Sequence, residues 1–262
     1  MTQAARPVAL ITGGSRGIGA AAARALARRG FDIVVTYRNK AARADKVVAA
    51  VERCGRRGIA VACDITHEAD VQTLFATVRD WAGALDVLVL NASGGLEREA
   101  LAVNPQYPMQ INRDAQLAVL DAALPLLTLG GVVVFVTSHW AHLYGQVEQL
   151  PAYGAIAESK FAGEQALRAR QPELMRRAIR LLVVTGDLVD GTITPKLLER
   201  KAPGLTGERR RLGKLPTADE MGEAIAATAT DSTPPSGATV VVGGDLESLM
   251  KPVVQENVSN SR

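Results

Sequence analysis

Seven short apolar runs recur along the chain, and each is rich in β-branched residues and too short to form a helix. They cover residues 8–12, 32–37, 58–64, 87–92, 132–138, 179–187 and 238–245. Alanine-rich stretches of helical character lie between them, such as 20–30 and 121–130. Strands that alternate with helices build a parallel sheet covered on both faces. The pattern therefore predicts an α/β fold, a doubly wound parallel seven-stranded sheet, in one domain over residues 1–262 with disordered tails at about 1–6 and 250–262.

The composition is that of a globular protein built on aliphatic residues. Of the 262 residues, 47% are hydrophobic and only 4% are aromatic, so Ala, Val, Leu and Ile must form most of the core. A net charge of +3 is too small to indicate nucleic-acid binding. No apolar run reaches the ~18 residues of a membrane span, and the amino terminus runs directly into the first strand. These features predict a soluble, cytoplasmic protein without nucleic-acid or membrane partners.

The two cysteines, Cys54 and Cys63, match neither a disulfide framework nor the spacing of a metal site. They fit a reduced, cytosolic compartment better than a secreted one. We therefore expect no metal.

A glycine-rich stretch, TGGSRGIG, joins the first strand to the first helix, which we expect to begin at about Ile18. Such a turn lets backbone amides approach a pyrophosphate, and the helix amino terminus adds partial positive charge. The predicted contacts from this turn are Gly13, Ser15, Arg16, Gly17, Ile18 and Gly19. The strand–turn–helix context predicts a dinucleotide-binding site.

The spacing G-x-x-x-G-x-G of this turn resembles that of the short-chain dehydrogenase/reductase family, and five further segments match the family in the same order. They are Asp64 and Ile65 at the adenine, the turn Asn91, Ala92 and Ser93 with Ser93 where Gly is usual, Asn112 in a bordering helix, Ser138 as the catalytic serine, and the last strand 238–245. The resemblance implies a Rossmann fold that binds a nicotinamide cofactor. It also implies a homodimer or a homotetramer.

The end of the second strand, TYRNK, carries no carboxylate that could bind a ribose 2′-hydroxyl, since the next acidic residue is Asp45. Tyr37 and Arg38 stand at that end, and Arg16 lies in the glycine turn. Two guanidinium groups that converge there suit a 2′-phosphate. The sequence therefore predicts NADPH as the cofactor and reduction as the physiological direction.

The stretch PAYGAIAESKFAGE contains Tyr153 and Lys160, which are seven residues apart, whereas the common family motif needs four. The usual tyrosine position holds Ile156. On a regular helix, residues seven apart share a face and lie ~10 Å apart, and Gly154 permits Tyr153 to sit in the loop before the helix. The same seven-residue spacing is seen in the enoyl-acyl-carrier-protein reductases of the superfamily. The resemblance implies Ser138, Tyr153, Lys160 and Asn112 as catalytic residues.

Other side chains close to Ser138 could donate the proton instead. His139, His142 and Tyr144 lie in the loop SHWAHLYG, and a histidine titrates near neutrality. Packing in the wall of the pocket is the interpretation we favour for all three.

The segment after the sixth strand replaces the family's usual Pro-Gly segment. There we expect cofactor contacts from Gly186, Leu188 and Thr192, and a substrate lid over about 187–215 with hinges at Gly186 and Gly191. Within it, residues 196–214 carry a local charge of +5. This charge fits either a solvated helical face or a lid that attracts an anionic cofactor or substrate.

Three functions fit the sequence. The first is an NADPH-dependent ketoreductase acting on a mostly apolar small-molecule ketone, and the segments 153–164 and 186–200 resemble an actinobacterial branch that includes aromatic-polyketide (angucyclinone) ketoreductases of antibiotic biosynthesis. The second is an enoyl-thioester reductase, favoured by the tyrosine spacing and opposed by Ser138. The third is a non-catalytic NADP-binding sensor.

Overall fold

The computed structural model describes residues 6–150, 152–244 and 246–250. The predicted disorder of the tails falls almost entirely on residues 1–5 and 251–262, outside the described residues. Arg6 is described, and Met250 ends a short helix.

Seven parallel strands form one sheet in the order β3-β2-β1-β4-β5-β6-β7. The strands are β1 Val8–Ile11, β2 Asp32–Tyr37, β3 Gly58–Ala62, β4 Leu85–Leu90, β5 Leu127–Ser138, β6 Arg180–Gly186 and β7 Thr239–Val242. Every pairing between neighbouring strands is parallel. The predicted doubly wound sheet is confirmed.

Helices cover both faces of this sheet and its carboxyl edge. They are α1 Gly17–Arg28, α2 Ala41–Glu52, α3 Glu68–Ala82, α4 Arg98–Val103, α5 Tyr107–Met109, α6 Ala115–Ala123, α7 His139–His142, α8 Gly154–Ala169, α9 Gln171–Arg176, α10 Ile193–Lys201, α11 Leu205–Leu212, α12 Ala218–Thr230 and α13 Leu246–Met250. A π-helical turn, Gln110–Asp114, joins α5 to α6. In the part of the chain that the structure describes, no helix is long and apolar enough to cross a membrane.

The helical interpretation of 121–130 is wrong in its second half. Helix α6 ends at Ala123, and β5 already begins at Leu127, which pairs with Leu85. Pro125 explains the difference, because proline has no amide hydrogen to donate and its ring clashes with the preceding helical turn.

The core consists of two aliphatic layers, one on each face of the sheet. Leu10, Leu88 and Val133 belong to one layer, and Ile11 and Val89 belong to the other. This alternation follows from the two-residue period of a strand that is buried on both faces.

The strand order reverses between β1 and β4, whose carboxyl ends lie side by side. In open α/β sheets, ligands bind in the crevice at such a reversal. The loops after β1, β2, β3 and β4 therefore frame the expected dinucleotide site, and those after β5 and β6 adjoin it.

Candidate active site

The glycine turn after β1 has a conformation and a packing that require glycine. Gly13 has a φ of +64°, and a Cβ there would lie 3.0 Å from the Cα of Ala92. A Cβ on Gly19 would lie 2.6 Å from both the side-chain amide nitrogen of Asn91 and the carbonyl oxygen of Gly13. A side chain is thus excluded at Gly13 and at Gly19, and the backbone of the turn lies against the end of β4.

The amino terminus of α1 fits a phosphate group. The helix begins at Gly17, its N-cap Arg16 makes no side-chain capping bond, and its first turn holds no acidic residue. An added Cβ on Gly17 would meet only a methyl group of Thr192, at 3.6 Å. Helix amino-terminal amides without side-chain partners attract anions, so the cradle suits a pyrophosphate.

A surface cleft of about 400 Å³ opens beside this turn. Ser15 and Arg16 line it, together with the basic side chains of Arg24, Arg43 and Lys46. The last three were missed by the sequence analysis, because nothing in a helix pattern shows which basic residues face a turn far away in the chain. Arg24 is paired with Asp219, which also lines the cleft, at 2.7 Å. The positive charge of Arg16, Arg43 and Lys46 suits an anionic ligand.

Asn91 uses its side chain to hold this crevice together. Its amide nitrogen donates to the carbonyl oxygen of Thr12 at 2.9 Å, and the Thr12 hydroxyl accepts from the backbone amides of Asn91 and Ala92 at 3.0 Å each. The ends of β1 and β4 are therefore tied to each other. These contacts favour a supporting role for the Asn91 side chain.

The two arginines predicted to share a 2′-phosphate have different partners in the structure. Arg38 donates to the hydroxyl of Tyr107 at 2.8 Å and lies 3.9 Å from the carboxylate of Asp64. Arg16 lies in the cleft described above. The convergence of both arginines on one phosphate stays a prediction, and Tyr107 is an additional residue at this site.

The predicted adenine contacts lie at the end of β3. Asp64 accepts hydrogen bonds from the backbone amide and the hydroxyl of Thr66, at 3.0 and 2.7 Å. Ile65 is buried, and Tyr37 at the end of β2 packs against the core. Asp64, Ile65 and Tyr37 therefore border the side of the crevice where β2 and β3 end.

A chain of polar groups leads from Lys160 into the crevice. Its ammonium donates to the Ser93 hydroxyl at 3.5 Å, and that hydroxyl donates to Asn112 Oδ1 at 2.8 Å. The Asn112 amide nitrogen donates to the Gly94 carbonyl at 2.9 Å and to the Ser159 hydroxyl at 3.0 Å. Ser93, which stands where the family usually has glycine, thus connects Lys160 with Asn112.

Asn112 lies on the π-helical turn before α6, and π-helical turns are frequent at functional sites. Its backbone carbonyl packs so closely on α8 that a Cβ on Gly163 would collide with it. Close packing here fixes the Asn112 side chain relative to Lys160 of the same helix.

Tyr153 and Ser138 lie in direct contact, with 3.0 Å between the phenolic oxygen and Ser138 Oγ. Ser138 ends β5, and Tyr153 is the residue immediately before α8. Ala152 has a φ of +60°, so the chain turns sharply before the helix. This turn brings the tyrosine back over the end of β5. Ile156, at the usual tyrosine position, is buried in the adjoining apolar cluster.

Burial shifts the pKa values of Tyr153 and Lys160. It raises the pKa of Tyr153, and the hydrogen bond with Ser138 offsets part of this shift. It lowers the pKa of Lys160 to about 8, against the opposing effect of the Glu164 carboxylate. The protein alone therefore keeps the Tyr153 phenol protonated near neutral pH, which is the form that a proton donor needs.

Both ring nitrogens of His139 have hydrogen-bond partners within the protein. One ring nitrogen lies 3.0 Å from the Thr185 hydroxyl and the other lies 2.6 Å from the carbonyl oxygen of Gly243. Burial lowers the pKa of this histidine, which keeps the ring neutral. The contacts favour the packing interpretation for His139.

The two other alternative donors also have partners away from Ser138. His142 Nδ1 lies 2.9 Å from the buried Glu164 carboxylate, and the ring of Tyr144 packs on Phe161 with 5.9 Å between centroids. Within the described residues, Tyr153 is the one of the four possible donors that forms a hydrogen bond with Ser138.

The contacts of Leu188 and Thr192 at the end of β6 are local. The Leu188 amide donates to the side chain of Asp187 at 2.5 Å, and the Thr192 hydroxyl donates to the Val189 carbonyl at 2.7 Å. Thr192 also covers Gly17 of the glycine turn. Gly186 lies within β6, where a Cβ would lie 2.6 Å from the Met221 sulfur, so close packing accounts for this glycine.

Several basic residues of the segment 196–214 are bound to carboxylates. The ion pairs are Arg209 with Asp187 at 2.7 Å, Arg210 with Asp190 at 2.8 Å and Lys214 with Glu220 at 2.6 Å. Arg209 also stacks on Trp140, with its guanidinium carbon 4.9 Å from the ring centroid. These pairs hold α11 against the end of β6 and neutralise part of the segment's charge. Its role as a lid stays a prediction.

A third apolar cluster surrounds the Tyr153 ring. Its buried members come from α7, α8 and the segment after β6, and they include Trp140, Ile156, Leu188, Leu198, Leu205 and Leu215. Leu96, Tyr144, Val147 and Leu150 pack against it from the neighbouring loops. The groups beside the Ser138–Tyr153 contact are therefore mainly apolar and partly aromatic. Among the described residues, no three His, Cys, Asp or Glu side chains cluster as a metal site.

These features belong to one class of proteins. The family model for short chain dehydrogenases matches residues 7–202, and the chain belongs to that family. The chain is similar to 1-cyclohexenylcarbonyl-CoA reductase of Streptomyces collinus, with 32% identity over 94% of this chain and 89% of the relative. It is also similar to the hydroxynaphthalene reductase arp2 of Aspergillus fumigatus, with 31% identity over 75% of this chain and 71% of the relative. The solved structure of the angucycline C-6 ketoreductase LanV with bound NADP superimposes with a TM-score of 0.75 at 26% identity, covering 90% of this chain and 93% of LanV.

Proposed function

We propose that this protein is an NADPH-dependent ketoreductase. The observation that carries the proposal is the 3.0 Å contact between Ser138 Oγ and the phenol of Tyr153, which directly precedes the helix that carries Lys160. A carbonyl oxygen seated between these two hydroxyls would accept a hydrogen bond from each. The bound cofactor would supply the hydride.

Each polar side chain has a distinct task in this proposal. Ser138 stabilises the negative charge that develops on the carbonyl oxygen. Tyr153 donates the proton to that oxygen as a general acid. Lys160 binds the ribose hydroxyls of the cofactor with its ammonium. Asn112, through Ser93, holds Lys160 in place.

NADPH is favoured over NADH by the charges around the crevice. Arg38 stands at the end of β2 where an NAD-dependent enzyme carries an acidic residue. Arg16 and Arg43 line the adjoining cleft. Similarity to LanV, which was solved with bound NADP, supports the same choice.

The proposed substrate is an apolar ketone, and an aromatic polyketide is the class we favour. Trp140, Tyr144 and aliphatic side chains surround the serine–tyrosine pair, and such surfaces recognise flat hydrophobic molecules. Two of the similar proteins are named for substrates of this class, a hydroxynaphthalene and an angucycline.

A second function, reduction of an enoyl thioester, has two observations in its favour. One is the tyrosine seven residues before the lysine. The other is similarity over nearly the whole chain to 1-cyclohexenylcarbonyl-CoA reductase. Ser138 opposes this function by resemblance, because the enoyl-acyl-carrier-protein reductases of the superfamily lack a serine at the end of the fifth strand.

The experiment that separates the two functions is a steady-state assay of NADPH oxidation. The substrates are a bicyclic aromatic ketone such as 1-tetralone, a hydroxynaphthalenone, and 1-cyclohexenylcarbonyl-CoA. The proposal predicts kcat/KM values higher for the ketones than for the thioester by at least about tenfold, a difference of ~1.4 kcal/mol in transition-state binding. Higher values for the thioester would establish the second function. Turnover with none of them, despite tight NADPH binding, would favour the sensor.

A cytoplasmic location and a homodimeric or homotetrameric assembly also stay proposals. The location is supported by Cys54 and Cys63, which are both free thiols. The assembly is supported by the family resemblance, and the molar mass measured by light scattering during size-exclusion chromatography would test it.

A further inference from the structure

A hydrogen bond connects the end of β2 to the beginning of α5. Arg38, the first residue after β2, donates from Nη1 to the hydroxyl of Tyr107 at 2.8 Å. Tyr107 is the first residue of α5 and lies 69 positions further along the chain. The second partner of Arg38 is Asp64, at 3.9 Å. The bond spans the side of the crevice where the adenosine half of a dinucleotide lies in this fold.

The tyrosine is a rigid support. Its side chain is 7% exposed and belongs to the hydrophobic core on one face of the sheet. A Cβ on Gly94 would lie 3.1 Å from the ring and 3.2 Å from the hydroxyl, so the ring packs directly on the loop after β4. The hydroxyl therefore has a fixed position between the loops that follow β2 and β4.

The arginine is the more exposed partner in this contact. Its side chain is 43% exposed, and a long exposed arginine samples many rotamers when nothing holds it. A guanidinium has five N–H donors, so one bond to a neutral hydroxyl leaves most of them free for an anion. A side chain already held in its binding position loses less conformational entropy when a ligand arrives.

We propose that Tyr107 is a positioning residue for cofactor specificity: its hydroxyl holds the Arg38 guanidinium over the adenosine pocket, ready for the 2′-phosphate of NADPH. This inference rests on the proposed use of NADPH. Because Tyr107 begins the element that continues through the π-helical turn to Asn112, the same contact links the phosphate end of the cofactor site to the proposed catalytic end.

The test compares cofactor affinities in the absence of substrate, measured by fluorescence titration with NADPH and with NADH. Tyr107→Phe removes only the hydroxyl and keeps the buried ring. The dissociation constant for NADPH should rise about 3- to 10-fold, the range of one hydrogen bond of ordinary net strength. The constant for NADH should stay within about twofold, since NADH has no 2′-phosphate.

Two further variants make the result specific. In an Arg38→Met background, Tyr107→Phe should have no additional effect on NADPH affinity, because the hydroxyl acts only through the guanidinium. Tyr144→Phe is the matched control, since it removes a hydroxyl from a tyrosine that packs on Phe161 at the other end of the site. It should leave both affinities unchanged, and thermal unfolding should show that all variants are folded.

Three outcomes would overturn the inference. In Tyr107→Phe, the affinities for NADPH and NADH could fall equally, or the affinity for NADPH could stay unchanged. The affinity for NADPH could also increase, which would mean that the bond holds Arg38 away from the phosphate. If the wild-type protein itself binds NADPH no better than NADH, the proposed cofactor fails. If the wild-type protein prefers NADPH and Tyr107→Phe shows the same preference, the inference about Tyr107 fails while the proposed cofactor stands.

Discussion

The two halves of the crevice differ in how closely they follow the family pattern. The half formed by the ends of β1 to β4 keeps the glycine turn, an uncapped helix amino terminus and the Thr12–Asn91 bonds. The half formed after β5 and β6 has the tyrosine at an unusual spacing and a charged segment in place of Pro-Gly. The half that would hold the adenosine and the pyrophosphate thus follows the family pattern, whereas the half that would meet the substrate departs from it.

The unusual half nevertheless brings its reactive groups together. The sharp turn at Ala152 and the start of α8 at Gly154 bring Tyr153 within 3.0 Å of Ser138. What the chemistry requires is this distance between oxygens, and different spacings along the chain can produce it. Substitutions in each half should therefore affect different steps, cofactor selection in one and proton transfer in the other.

The largest effect is expected from Tyr153→Phe. It removes the proposed proton donor without changing the ring, so kcat for ketone reduction should fall by ~10²–10⁴, the range that general acid catalysis contributes. The dissociation constant for NADPH should hardly change, because the phenol is needed only as the alkoxide forms. Tyr144→Phe is the matched control and should stay near wild-type activity. Near-full activity in Tyr153→Phe would show that another group donates the proton.

Ser138→Ala should lower kcat by ~10²–10³, because one hydrogen bond to the developing oxyanion is lost. Thr137→Val is a control on the neighbouring residue of the same strand, since the buried Thr137 hydroxyl has no hydrogen-bond partner among the described residues. Steady-state kinetics of both variants give the comparison. Equal losses in the two would mean that Ser138 only supports the packing of β5.

Arg38→Asp should reduce the preference for NADPH by roughly 10- to 100-fold, measured as the ratio of kcat/KM values for NADPH and NADH. A carboxylate would repel the 2′-phosphate and accept a ribose hydroxyl, and a bond to a charged group contributes ~1.5–3 kcal/mol. Arg53→Asp makes the same charge change on an exposed residue after α2 and should leave the ratio unaltered. An unchanged ratio in Arg38→Asp would contradict the NADP assignment.

The smallest effect concerns pH. The pKa of Lys160 is lowered to about 8 by burial, so its ammonium loses its proton as the pH rises through that value. NADPH affinity should therefore be highest below about pH 8 and fall about fivefold above it, the difference between a charged and a neutral hydrogen-bond donor. In Lys160→Met this step should disappear. A step of the same size in that variant would assign the titration to another group.

The sequence predicted the sheet well because buried parallel strands are short, apolar and β-branched, and β2 begins and ends at the predicted residues, Asp32–Tyr37. It missed the start of β5, where an apolar run interrupted by Pro125 fits either a helix or a strand. Strands that follow a clear local pattern of apolar residues can be predicted from a short stretch of sequence.

The site was predictable only in part. The residues of the glycine turn and Ser138 follow from motifs within short segments. The bond between Arg38 and Tyr107 joins residues 69 positions apart, and the ion pair of Arg209 with Asp187 joins residues 22 apart. The contact of Tyr153 with Ser138 depends on a positive φ at an alanine, which no residue preference indicates. Tertiary packing decides these contacts.

The measurement that tests the central claim most directly is the product formed from a bicyclic aromatic enone with NADPH that carries deuterium at the transferred position. Such a substrate offers a carbonyl carbon and a conjugated alkene carbon to the same hydride, so the enzyme must choose between them. If the hydride goes to the carbonyl carbon whose oxygen Ser138 and Tyr153 hold, nuclear magnetic resonance should show an allylic alcohol with deuterium on the carbinol carbon. A saturated ketone with deuterium on the β-carbon would contradict the account and establish alkene reduction.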